Sequence, residues 1–149
     1  MTYPTARDAI LVHAKASALA ANAKWTDVAI GINPVGKCVR VFYGGERAPV
    51  RMGGSRVLNG ELVSEMVTVA AFWPLSDLSL AGYKAVDDEM YLFKHELRTR
   101  VLGDSQLGGA QTDLAMDYAQ PDIVVIGNVR NVVLEIDFIT DYTEYALAP

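Results

Sequence analysis

The sequence predicts an α+β protein: a mixed, mainly antiparallel sheet with two helices packed on one face and a long β-hairpin-like arm. Three observations predict it. From Asn131 to Tyr142 the chain alternates, with Val132, Leu134, Ile136 and Phe138 on one side and Glu135, Asp137 and Asp141 on the other. Leu62 to Trp73, LVSEMVTVAAFW, is rich in β-branched residues and stops at Pro74. Between these two strands, Tyr83, Val86, Met90, Phe93, Leu97 and Val101 recur at helical spacing. A strand with one apolar face must lay it on something, and the amphipathic helices are the natural cover.

The 149 residues are the size of one domain, 1–149, which buries roughly two thirds of its unfolded surface. A composition of 51% hydrophobic and 21% charged residues belongs to a globular chain and predicts no long disordered tail. The net charge of −5 argues against a general nucleic-acid or polyphosphate binder, while leaving room for a local basic patch. Cys38 is the one cysteine, so no intrachain disulfide forms, as suits a reducing cytoplasm. No apolar run approaches the roughly 20 residues that span a bilayer, and the N-terminus lacks the pattern of an export signal.

In chain order, Thr5 followed by Asp8 resembles a capping box and predicts a helix start. Ile10, Leu11, Ala14, Ala18 and Ala21 give that helix a small-residue face, with Trp25 anchoring its exit. Asp27–Ile32 and Lys37–Tyr43 read as two strands of a hairpin around the turn residues Asn33–Gly36. Val39, Val41 and Tyr43 oppose Cys38, Arg40 and Phe42, so both faces of the second strand are partly apolar.

Gly44 to Gly60 carries five of the twelve glycines together with Arg47, Arg51 and Arg56, and reads as a long loop without a regular core element. It is the most basic stretch of an acidic chain. It reads either as a solvated long hairpin or as a contact arm. The twelve-residue strand after it exceeds the usual five or six, so two extended arms are expected to project together.

In the second helix, Asp87, Asp88 and Glu89 are placed in the first turns, Arg98 and Arg100 in the last, and Gly103 as a C′ cap. Glu96 and Arg100 form an i,i+4 pair. Thr112–Tyr118 and Asp122–Ile126 read as two short strands broken by Ala119-Gln120-Pro121, and Gly127-Asn128 turns into the last strand.

No constellation of catalytic type emerges. His13, His95 and Cys38 lie on three different predicted elements, which argues against a zinc site. His95 is read as bordering the helix's buried face rather than as a catalytic group. The clusters Asp87–Glu89 and Glu135, Asp137, Asp141 lack the spacing of a calcium loop, so no metal and no cofactor is expected.

A short N-terminal helix, a hairpin, a long loop into GELVSEMVTVAAFW, the helix DDEMYLFKHELRTRVLG and the closing strand NVVLEIDFITDY together resemble the tail terminator proteins of long-tailed bacteriophages. The resemblance is one of layout over most of the chain. It implies a non-enzymatic virion protein at the head-proximal end of the tail, assembled in the host cytoplasm. Six copies form a ring that stops tail-tube polymerisation and joins the head-completion (connector) protein. The implied partners are further copies of the chain in a homo-hexamer, the tail tube protein, that connector, and DNA passing through the lumen without specific binding. No membrane is involved. On this reading Arg47, Arg51 and Arg56 mark the contact arm, and Glu135, Asp137 and Asp141 face the lumen or a subunit interface, an acidic lumen letting DNA slide. The alternatives are another head-to-tail joining or minor capsid protein or, in a different class, a small cytoplasmic α+β enzyme using carboxylates or His95.

Overall fold

The computed structural model describes residues 3–17, 24–26, 36–46, 50–51, 60–104 and 115–145. Their order is α1 (Tyr3–Lys15), β1 (Lys24–Thr26), β2 (Cys38–Glu46), β3 (Val50–Arg51), β4 (Gly60–Pro74), α2 (Leu80–Gly103), β5 (Ala115–Ile126) and β6 (Val129–Tyr145). The strands form one sheet in the order β1-β2-β4-β6-β5, with β3 added to β4 beyond the end of β2. All pairings are antiparallel except β1 with β2, so the architecture is the mixed α+β sheet that the alternation predicts.

Val132, Leu134, Ile136 and Phe138 are all buried, and they meet Val67, Val69, Ala71 and Trp73 of the neighbouring strand on the same face. Both helices close over this face. α1 contributes Ala6, Ile10 and Ala14, whose small side chains let it sit near β2 and β4. α2 contributes Phe93, Leu97 and Val101, with Phe93 set edge-on to Trp73 at 6.1 Å between ring centroids. The opposite face is also largely buried: Cys38, Arg40, Thr68, Ala70, Asn131 and Val133 all lie there, with the Arg40 guanidinium over the Phe72 ring at 5.2 Å.

Several details differ from expectation. α1 starts at Tyr3, so Thr5 lies inside the helix rather than capping it, and the helix stops where the Ser17 hydroxyl donates to the Ala14 carbonyl at 2.7 Å. α2 starts a full turn before its apolar stripe because Ser79 is its N-cap, accepting from the Gly82 amide at 3.2 Å. Asp87, Asp88 and Glu89 therefore lie beyond the first turn and outside the reach of the dipole argument. Gly103 is the last helical residue, and its φ is not positive, so it is no left-handed cap. The C-cap is Asp104, whose amide reaches the Val101 carbonyl at 3.3 Å. His95 is exposed, stacked on Tyr91 rather than bordering the core. The Glu96–Arg100 pair forms at 3.2 Å.

Ala115–Ile126 is one strand, not two, because Pro121 sits on an edge strand where a missing N–H costs no ladder bond. Gly127, at φ +61°, closes the tight turn into β6, which runs on to Tyr145. The arm expected over 44–60 is not established. β2 stays paired with β4 as far as Glu46, and Val50–Arg51 forms a short strand, β3, where a loop is expected; 47–49 and 52–59 lie outside the described residues. Nor does β4 project, since β6 flanks it from Gly60 to Pro74 and satisfies that side of its backbone. The first strand of the expected hairpin, 27–32, and the positions of Ala18 and Ala21 lie outside the described residues, while Trp25 falls in β1, paired with Val39.

A β-bulge between Tyr43 and Gly45 leaves Gly44 facing Thr68, and a Cβ there would overlap the Thr68 hydroxyl. Gly44→Ala is expected to lower unfolding stability by about 1–3 kcal/mol through this overpacking. Phe138→Ala empties the helix-side core and is expected to cost about 3–5 kcal/mol. Leu80→Ala, on a side chain already in water, is expected to stay within about 0.5 kcal/mol of wild type. Urea denaturation monitored by circular dichroism measures all three.

The entry to α2 also generates a pH dependence. Hydrogen bonds from Ser79, its amide at 2.9 Å among them, hold the Asp77 carboxyl below its ordinary range. A carboxyl so lowered stabilises the fold fully above its unfolded value, and the contribution disappears as pH falls through the lower folded value. The stability difference between wild type and Asp77→Asn is therefore expected to be constant from neutral pH to about pH 5 and to close below about pH 4. Thermal melts across that range check it.

Candidate assembly surface

An open, largely apolar surface lies where α2 passes the edge strand β5. Two adjoining cavities, of about 570 and 630 Å³, share Asp87, Met90 and Pro121 in their walls. The larger one adds Leu80, Tyr83 and Ile123. Together they form a groove between helix and strand rather than an enclosed pocket. Its apolar floor continues onto exposed side chains, with Ile123 54% and Val125 61% accessible on the strand and Leu92 63% on the helix. Side chains of this kind, contiguous and open to water, mark interaction sites more often than isolated surface residues do.

Carboxylates rim the groove. Asp87 and Asp88 stand exposed on α2 and make no hydrogen bond or ion pair among the described residues, while Asp122 of β5 is the register partner of Val133, on the face away from the helices, and its carboxylate is taken up by the Ile123 amide. Two lysines share the lining, Lys84 and Lys94, the latter laid over the Tyr91 ring at 4.8 Å. Glu89, next to these acids, is neutralised by Lys37, whose ammonium reaches both carboxylate oxygens at 2.8 and 3.0 Å.

The backbone of β5 is guarded where the groove opens. Pro121 has no N–H, and two residues on, the Ile123 amide is taken by the Asp122 carboxylate at 2.7 Å. Both positions direct their groups to the same side of the strand, so an incoming strand finds no donor at either. The carbonyls of these two residues and the Val125 amide remain on that side.

The acids of β6 are divided by their surroundings. Glu135 is exposed. Asp137 is half-buried and accepts from the Thr68 hydroxyl at 2.6 Å, a charge-assisted bond across paired positions of β4 and β6. Asp141 pairs with Ser64 in the ladder. Glu135 and Asp137 occupy one face, opposite the helices. The register also sets Arg40 and Glu135 on either side of Ala70, a row that the sequence reading did not connect. Of the arginines, Arg51 lies in β3 opposite Glu61, while Arg47 and Arg56 lie outside the described residues.

His13 reaches Asp104 at 2.6 Å, joining the last turn of α1 to the C-cap of α2. The pair ties the two helices together at their C-terminal ends. No group of three or more metal-ligating side chains occurs among the described residues, and no described helix is long and apolar enough to cross a membrane.

The Thr68–Asp137 bond gives a test of how this face is held. Thr68→Val keeps the shape and removes the donor, leaving a half-buried carboxylate short of a partner, and is expected to cost about 1–3 kcal/mol. In the Asp137→Asn background the same change is expected to cost less, and a double-mutant cycle in urea measures the difference.

No protein-family model matches the chain, and no curated protein matches it.

Proposed function

We propose that this chain is a structural subunit of a phage virion, a tail terminator whose six copies close into a ring on the head-proximal end of the tail tube. The observation that carries the reading is the groove between α2 and β5, an exposed apolar surface with a charged rim that suits contact between protein subunits. Part of the element order supports it as well: the N-terminal helix, the strand GELVSEMVTVAAFW, the long helix and the closing strand occur in the order of that family's layout. Copies joined by heterologous contacts, one surface meeting a different surface on the next copy, close into a ring when the rotation allows. Glu135, exposed on the face away from the helices, suits a wall past which DNA slides, since counterion release onto basic residues is what makes DNA adhere. Within this assembly the protein acts by geometry: it occupies the growing end of the tube and offers the connector a new surface.

The test uses the purified chain with tail-tube protein. Electron microscopy is expected to show six-subunit rings seated on tube ends, with tube growth halted in proportion to the protein added. Tubes that elongate unchanged, with the chain monomeric beside them, overturn the reading. Rings that bind the connector but leave tube growth unaffected point instead to another head-to-tail joining component. Within the ring reading, neutralising Glu135, Asp137 and Asp141 together is expected to alter ring formation or DNA ejection, and wild-type infectivity in the triple variant removes that role.

A further inference from the structure

We infer that the exposed face of α2 pairs with the same face of a second copy of this chain, the two helices running antiparallel about a twofold axis at Phe93. The inference goes beyond the ring reading and does not rest on it, because a twofold contact closes on itself where a ring contact propagates.

The face is set by helical spacing. Phe93, Leu97 and Val101 turn one side of α2 into the core. On the other side Lys84, Asp88, Tyr91, His95, Arg98 and Leu102 recur at alternating steps of four and three, and all six are exposed. The Tyr91 ring, stacked on His95 and 61% accessible, and Leu92 beside it give this face an apolar centre.

Charge selects the occupant. Two of the helix's acids are engaged within the chain, Glu89 by Lys37 and Glu96 by Arg100. The charges that make no ion pair among the described residues are then ordered along α2. Asp87 and Asp88 precede Tyr91, Lys94 and Arg98 follow it, and Lys84 lies one turn further back. A partner of one sign would meet one half of this face well and the other badly. A second α2 laid antiparallel satisfies both, since the acidic half of each helix lies on the basic half of the other, whereas a parallel pair sets like on like.

With the axis at Phe93, Asp88 of each copy faces Arg98 of the other, whose forked donors suit a carboxylate. Tyr91 faces His95 across the axis and Leu92 faces Lys94, while Lys84 lays its apolar stem along Leu102. Asp88, Tyr91 and Leu92 also line the groove toward β5, so this pairing and a contact through that part of the groove exclude one another.

Charge reversal in the full-length chain tests the proposal. Asp87→Lys with Asp88→Lys makes both halves of the face basic, and Lys94→Glu with Arg98→Glu makes both acidic. Each double variant alone is expected to dimerise at least about tenfold more weakly than wild type, read by sedimentation equilibrium at low salt, with circular dichroism showing an unchanged fold. Mixed, the two are expected to form a heterodimer, and the fourfold variant carrying all the reversals is expected to dimerise again by itself. Tyr91→Ala is expected to weaken every one of these pairs. A wild-type chain that stays monomeric up to about 1 mM overturns the proposal. So does undiminished dimerisation in either double variant, or a loss that neither the mixture nor the fourfold variant restores. If a double reversal does not fold, the single reversals Asp88→Lys and Arg98→Glu take its place, with the same pattern of loss and restoration at a smaller fold-change. Capping of tail tubes is read separately. Dimers that leave tube growth untouched remove the terminator reading alone, and a chain that caps tubes without ever dimerising removes this one alone.

Discussion

The structure depends on the ladder between β4 and β6. These two long strands pair without interruption from Gly60 opposite Tyr145 to Pro74 opposite Asn131, and every other described element attaches to one of them or to a strand beside them. Their shared apolar face fixes the register, because a slip of one residue would carry Val67, Val69, Ile136 and Phe138 to the far side and bring Thr68 and Asp137 under the helices. The Thr68–Asp137 bond adds a specific lock on the opposite face. Apolar burial selects the register and the polar pair makes the neighbouring registers worse.

Helix placement follows from this pair. α1 uses Ala6 and Ala14 to approach β2 and β4 closely, while α2 uses larger knobs, Phe93, Leu97 and Val101. Two polar ties then hold the helices in position: His13 to Asp104 between them, and Lys37 to Glu89 between α2 and the chain entering β2. Neither tie lies in the core, so each adjusts orientation more than it adds stability. The groove lies between α2 and the edge strand β5, with Val132 and Leu134 of β6 in its walls.

How much of this was legible in the sequence depends on how local the signal was. Alternation in Val132 to Phe138, β-branching in LVSEMVTVAAFW and the stripe from Tyr83 to Val101 are each written within one segment, and each became the expected element. Element ends were harder. Ser79 caps α2 from a stretch that reads as a connection, and Pro121 reads as a break unless the strand is known to be an edge, which is a property of the whole sheet. The parallel pairing of β1 with β2 and the alignment of β3 with β4 are non-local facts that composition does not encode. The same limit applies to the candidate surface. The acids of β6 were visible as a pattern, but their division into an exposed Glu135 and a committed Asp137 depends on Thr68 in another strand. The groove joins residues from three segments, α2, β5 and β6, and no single window contains it. A proline just before an apolar run was the one local hint that Ile123 to Ile126 would border open space.

That run, Ile123-Val124-Val125-Ile126, has a consequence for how the protein meets other chains. Four β-branched residues in succession on an exposed edge are the composition from which stacked, irreversible β-aggregates nucleate. Pro121 and Asp122 stand at its start, one lacking a donor and the other occupying the next one. The strand thereby shows apolar side chains to the solution while withholding two of the backbone donors a partner strand would use. Contacts made through such side chains alone are reversible, whereas those made through a continuous backbone ladder are not.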